Sequence, residues 1–233
     1  MSARRLIIAA AILGQSVVAL GSNVDGISIS HFEPLERINV GARGVAYASK
    51  PGDVRPVELS FDALGKTFDL ELEPNASLLG ALPAGTSLTT AMPYRGRLKG
   101  VADSWVRIVL TGGAPAGVIW DGQDLYAIEL PGDSVVNATA PVIYRLGDVV
   151  VAPGTLSCAS GPATTNGAEV FKSVIASLSV AMAQAEGAVS EITIGTLGDS
   201  LFTTARGANA TADIMNRMNL VDGYFSEQLG VQI

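Results

Sequence analysis

Strict alternation of apolar and polar residues dominates the middle of the chain. Val57, Leu59 and Phe61 alternate with Glu58, Ser60 and Asp62; after a turn at 62–65, Phe68, Leu70 and Leu72 alternate with Asp69, Glu71 and Glu73. Period two is the mark of a strand with one buried face, and two such runs about a glycine-bearing turn predict a hairpin. Its register is specified, because a slip of one residue would turn the whole apolar set toward water. The stretch 104–111 carries Val106, Ile108 and Leu110 on one face; Gly112 and Gly113 break it, 117–120 is a second apolar run, Asp121 and Gly122 open a turn, and 125–130 is a third. These three predict an antiparallel meander. Residues 38–48 are loosely strand-like, 141–152 read as a strand pair turning at Gly147 and Asp148, 83–93 as a loop with a short strand, and 131–141 as a second loop. Ahead of them, 22–36 is a mixed, loose leader; after them, 153–167 is a linker rich in Gly, Ser, Thr, Ala and Pro.

The period then changes. Val170, Phe171, Val174, Ile175, Leu178 and Met182 recur at helical spacing, which predicts an amphipathic helix over 168–185, followed by a small, polar joint at 183–190. Residues 191–195 read as a strand, 199–207 as a turn region, and 208–229 as a long helix whose buried stripe is Ile214, Met218, Val221 and Phe225. Gly230 stops it, and 231–233 begins another strand. A β-α-β unit is thus opened without the neighbours that a buried parallel strand needs. The stretch 191–233 is expected to be the least protected part of the chain.

Composition narrows the setting. The 233 residues are 48% hydrophobic and 16% charged, so a packed core is expected over disorder. The net charge is −7, and loss of residues 1–21, which hold Arg4 and Arg5 and no acid, would make it more negative. That balance argues against nucleic acid, whose binding needs Lys and Arg to displace counterions, and against an anionic membrane surface. Residues 1–21 have the order of a signal peptide: Arg4 and Arg5, an apolar run from Leu6 to Leu13, then Ala19-Leu20-Gly21 for cleavage. The apolar run is too short for a spanning helix of about 20 residues. The mature protein is expected to be secreted, extracellular or periplasmic, and free of the membrane after cleavage.

Little in the chain carries catalytic chemistry. His31, the one histidine, cannot build a zinc site of three or four nitrogen and sulfur ligands, and reads as a surface residue. No nucleophile elbow, phosphate loop or dinucleotide fingerprint occurs. The acidic row Glu58, Asp62, Asp69, Glu71 and Glu73 reads as a solvated strand face ahead of a calcium site. Cys158, the single cysteine, allows no internal disulfide; its thiol is buried and inert, paired with another chain, or held for chemistry. Asn-x-Ser/Thr sequons stand at Asn75, Asn137 and Asn209 and read as chance occurrences.

Two ordered sets of residues resemble the propeptide of the reprolysin/ADAM-type zinc metallopeptidases. One is the hairpin 57–79, VELSFDALGKTFDLELEPNASLL, with its asparagine-bearing turn. The other is Tyr94 and Gly96, the serine-led strand 104–110, Gly117 to Ile119, and Tyr126 to Glu129. The stretch 191–233 is similar to the first strand, helix and second strand of that family's catalytic domain. The family's H-E-x-x-H-x-x-G-x-x-H motif is absent, and the chain reads as an N-terminal fragment.

The resemblance implies an α+β protein: signal peptide 1–21, an antiparallel β propeptide domain 22–152, linker and amphipathic helix 153–190, and an incomplete, metzincin-like α/β catalytic segment 191–233. It implies the precursor portion of a secreted zinc metalloendopeptidase, inactive by itself, with zinc in the full-length parent and none bound by this chain alone. The partners would be its own downstream catalytic domain and the parent's protein substrates. Cys158 would stand as an inhibitory zinc ligand, although the family's usual Cys-Gly pair is here Cys-Ala, and packing is the alternative. Glu191 matches a structural calcium ligand, or is simply an acid at a strand start. The competing reading is a non-enzymatic secreted β-sandwich, a binding or adhesion module.

Overall fold

The computed structural model describes residues 26–41, 56–82, 91–131, 138–152, 190–191 and 194–232. Cys158, the predicted helix 168–185, the signal-peptide stretch and Asn137 lie outside the described residues. The fold is α+β, with most strands antiparallel.

The strands are β1 (Ile27–Ile29), β2 (Glu33–Pro34), β3 (Asn39–Val40), β4 (Val57–Ala63), β5 (Lys66–Pro74), β6 (Ala91–Leu98), β7 (Trp105–Thr111), β8 (Ala114–Trp120), β9 (Leu125–Glu129), β10 (Val142–Arg145), β11 (Val149–Val151), β12 (Ser190–Glu191) and β13 (Val231–Gln232). The α-helices among the described residues are α1 (Ala76–Gly80), α2 (Ser200–Arg206) and α3 (Ala210–Leu229). Nine strands make one antiparallel sheet in the order β2-β10-β9-β8-β7-β6-β5-β4-β3. The predicted hairpin is β4–β5, paired from Val57 opposite Leu72 to Ala63 opposite Lys66, and the meander is β7–β8–β9.

This sheet is rolled. Its edge strands β2 and β3 are joined by residues 35–38, which reach at most roughly 18 Å when fully extended. A flat sheet of nine strands would hold its edges about 38 Å apart. A hydrogen bond from the Leu64 amide, in the β4–β5 turn, to Glu33 Oε2 at 2.7 Å ties the seam. Inside the roll lie Leu59, Phe61, Phe68, Leu70, Ile108, Ile119, Tyr126, Ile128 and Ile143. Phe61 stacks on Phe68, and Phe68 meets Tyr126 edge to face, both at 5.1 Å between ring centres.

Rolling brings backbones close at two glycines. A β-carbon on Gly96 would lie 2.0 Å from the carbonyl oxygen of Glu71, and one on Gly117 would lie 2.0 Å from that of Arg107. Gly117 also has φ of +146°, a conformation that L side chains avoid.

Three expectations change. The leader at 22–36 is built into the structure: β1 pairs with β11, and Ile29, Phe32 and Leu35 are buried. The predicted strand pair in 141–152 does not pair with itself, because a 3-10 turn at Leu146–Asp148 sends β10 to β9 and β2, and β11 to β1. The short strand expected within the 83–93 loop is the start of a longer one, since β6 begins at Ala91 and runs through Pro93 to Leu98. Proline is tolerated there because β6 has passed the end of β5, whose last pair is Pro74 with Tyr94.

Within 194–232, α3 is held against the sheet, whereas 194–207 is largely exposed. α3 lies across the outer face of the sheet and packs on β6, β7 and β8. Its sheet-facing line is Met215, Asn219, Asp222 and Gly223, all buried; Ile214, Met218, Val221 and Phe225 are only partly covered. The apolar stripe misleads because the sheet surface beneath carries a charge and backbone carbonyls, so the positions that face it are polar. Beside this line, Leu220 and Tyr224 pack on Trp105, Val118 and Leu125. After α3, Gly230 takes the left-handed cap with φ of 63°, and β13 pairs with β12 in parallel. The expected strand-helix-strand order is present, but the first strand is Ser190–Glu191 and 194–195 are not strand, and the stretch read as a turn at 199–207 is mostly the short helix α2, capped by Asp199.

Candidate functional site

The most unusual chemistry lies under α3. Arg107 projects from β7 on the outer face and is 2% exposed. A buried guanidinium must find partners for its donors, and α3 supplies them at helical spacing. Nε donates to Asp222 Oδ2 at 2.9 Å, and Nη2 donates to Ser226 Oγ at 2.7 Å and Glu227 Oε1 at 3.0 Å. Nη1 donates to the Val106 carbonyl at 3.1 Å. Gly223 makes room, since a β-carbon there would lie 2.6 Å from Arg107 Cγ. That accounts for a glycine in mid-helix, which costs about 1 kcal/mol against alanine.

A second layer is made of amides. Asn75, wholly buried, caps α1 with Oδ1 accepting from the Leu78 amide at 3.4 Å. Its Nδ2 donates to Asn219 Oδ1 at 2.9 Å and to Asp222 Oδ2 at 2.8 Å. Asn219 Nδ2 in turn donates to the carbonyls of Tyr94 and Ile108 at 3.1 and 3.2 Å, on the paired strands β6 and β7. Asn75, Arg107, Asn219 and Asp222 thus form one connected network between sheet and helix. It holds no nucleophile, and the charge of Arg107 is answered by two carboxylates. The arrangement locks a helix to a sheet in one register; it does not present a group for proton transfer.

A second cluster sits at the end of the roll. Lys66 Nζ donates to Asp121 Oδ2 at 2.8 Å and to Tyr126 Oη at 2.6 Å, and Tyr126 Oη donates to Asp121 Oδ2 at 3.1 Å. Burial works against the Asp121 charge, but the amides of Asp124 and Gln123 and the Lys66 ammonium outweigh it and hold the carboxyl below its usual range. The hydrogen bond to Asp121, then that to Tyr126, raises Lys66. Burial raises Tyr126. A lysine nucleophile or tyrosine base needs the opposite shifts, so this trio is a clamp between β5 and the β8–β9 turn. Its acid limb follows from the sign. A depressed carboxyl contributes stability that is present above its unfolded value, about 4, and is lost as pH falls through the folded value. Asp121→Asn, which keeps the turn, is expected to lower the urea midpoint at pH 7. The gap to the parent should close as the pH is taken below about 4; a gap independent of pH would rule the charge out as its cause.

Two cavities flank α3. One, of about 600 Å³, opens beside its C-terminal end over Glu71, Glu73, Arg95, Arg97, Trp105 and Glu227. Four of its charges are paired across strands, Arg95 with Glu73 and Arg97 with Glu71, which is where two members of the predicted acidic row go. The other, of about 420 Å³, lies under the N-terminal half of α3 against Val109, Thr111, Ala116 and Leu130. Asn216 lines it, with an Oδ1 that is buried and without a hydrogen-bond partner.

The residues singled out from sequence are not brought together. His31 is on the surface, with Nε2 4.0 Å from Glu33 Oε1. The backbone of Glu191 lies in β12 opposite Gln232, and its side chain is outside the described residues, as is all of Cys158. Among the described residues no group of His, Cys, Asp and Glu is placed to hold a metal. What sequence reading missed is the Arg107 network. The one signal was an arginine at an outward position of an otherwise apolar strand, with Asn219 and Asp222 three apart on a helix. No family model matches the chain, and no curated protein matches it.

Proposed function

We propose that this chain is the precursor portion of a secreted zinc-dependent metalloendopeptidase. In this reading the rolled β domain is a propeptide that carries the opening strand-helix-strand of the protease on its outer face. The observation that supports it is the docking of α3 through Arg107, Asn75, Asn219 and Asp222. A helix that opens a catalytic domain needs a surface that sets its register before the rest of the sheet assembles, and a connected buried polar network specifies one register. Such a surface would act as a folding support and as steric cover. The parallel pair β12–β13 suits the start of an α/β sheet.

A second reading has its own observation. Leu220 and Tyr224 of α3 share an apolar cluster with Trp105, Val118 and Leu125, as the parts of one body do. That suits a non-enzymatic secreted binding module in which α3 is a permanent layer.

The reading frame beyond Ile233 separates the two. The protease reading expects an H-E-x-x-H motif in it, and a frame without one would sink that reading. In a precursor that has the motif, Cys158→Ala tests the thiol. Activity on casein before any propeptide cleavage would assign Cys158 a part in inhibition, whereas silence of both precursors would leave inhibition to the cover provided by the β domain.

A further inference from the structure

The sequon Asn75-Ala76-Ser77 is placed where a glycan would prevent folding. Such acceptors belong on surface loops of exported proteins, yet Asn75 has no exposed surface. Both hydrogens of its Nδ2 are donated, to Asn219 Oδ1 and Asp222 Oδ2, and its Oδ1 holds the Leu78 amide. We propose that this chain reaches its native state only along an export route that does not glycosylate asparagine, and that modification of Asn75 blocks the docking of α3. The proposal rests on the export read from residues 1–21 and on the docking of α3, not on the protease reading.

The chemistry is specific. Oligosaccharyl transfer forms a bond between Nδ2 and the sugar C1 and breaks the bond from C1 to the phosphate of a lipid-linked pyrophosphate donor. One amide proton is lost and the lipid pyrophosphate leaves. The modified Nδ2 keeps a single hydrogen, so Asn219 or Asp222 loses its donor. The sugar then stands where α3 lies, and Asp222 is carried away from Arg107.

Timing makes the sequon accessible despite its final burial. The partners that enclose Asn75 lie 144 and 147 residues further along the chain. A chain threaded through a membrane therefore displays 75–77 in open form well before α3 exists. By contrast, Asn209 is exposed at the start of α3 and presents no such conflict.

The test exploits Ser77, whose side chain is exposed, so that Ser77→Ala removes the sequon and leaves the Asn75 network intact. The full chain, with Asn137→Gln and Asn209→Gln to silence the other sequons, is secreted from a eukaryotic host that glycosylates and from a bacterial periplasm, with and without Ser77→Ala. Glycan at Asn75 is read by mass, and docking by the near-ultraviolet signal of Trp105, which meets Tyr224 edge to face. In the glycosylating host, the chain with Ser77 should carry glycan at Asn75 and yield roughly tenfold less folded protein than Ser77→Ala. In the periplasm the two should match. Folded, secreted protein with glycan on Asn75 and an unchanged melting temperature would overturn the proposal. So would equal yields in the glycosylating host with Asn75 unmodified.

Discussion

Arg107→Ala is expected to destabilise the chain by about 3–5 kcal/mol, the cost of leaving a buried partner charge unpaired. The large effect comes from what remains. Asp222 is 6% exposed with Arg107 in place, and with Arg107 gone it keeps, among the described residues, only the Asn75 amide as a donor to its carboxylate. Desolvation of a charge is repaid only while the pair is complete. The paired replacement Arg107→Met with Asp222→Leu should therefore be much less harmful than either charge removal alone. Glu227 is about two-fifths exposed, so Glu227→Gln should cost little, as exposed ion pairs do. Urea denaturation of Arg107→Met, Asp222→Leu, their combination and Glu227→Gln measures this directly. Additive losses in the double variant would mean that the cluster acts as separate contacts.

Gly117→Val is expected to abolish folding. No rotamer relieves it, because the clash is between the first side-chain atom and a backbone carbonyl of the neighbouring strand, 2.0 Å away. The left-handed φ adds a second penalty, which a β-branched residue feels most. Gly112→Ala is the control: it too has positive φ, 59°, but nothing lies within 4 Å of the added carbon. It should cost about 1 kcal/mol and leave the fold intact. A folded Gly117→Val protein, judged by dispersed amide resonances, would show that β8 can shift away from β7.

These positions show what period and spacing convey and what they cannot. The β4–β5 hairpin and the β7–β9 meander were legible because each buries one face, and alternation records a buried face directly. The parallel β12–β13 pair about α3 was legible from helix length and the Gly230 stop. The face that α3 turns to the sheet was not. Apolar counting assumes that burial means hydrophobic, and Asn219, Asp222 and Arg107 are buried because they satisfy one another over separations of more than a hundred residues. The pairing of β11 with β1 was hidden for a related reason, since nothing local in Val149–Val151 names a partner at Ile27–Ile29. Gly96 and Gly117 stood out within the family pattern only as letters; the rolled sheet supplies their cause. The acidic row offered no way to tell solvated carboxylates from those that Arg95 and Arg97 engage.

The narrowness of the sheet's margins has a consequence for behaviour at high concentration. An exposed strand edge is a template on which another chain can add, and proteins blunt it with short strands and proline. Here both margins, β2 and β3, are two residues long, and Pro34 in β2 has no N–H to offer. A chain this rich in apolar residues thus keeps its longest, most adhesive strands in the interior of the ladder. Strand addition at either described margin of this sheet therefore has little to grip.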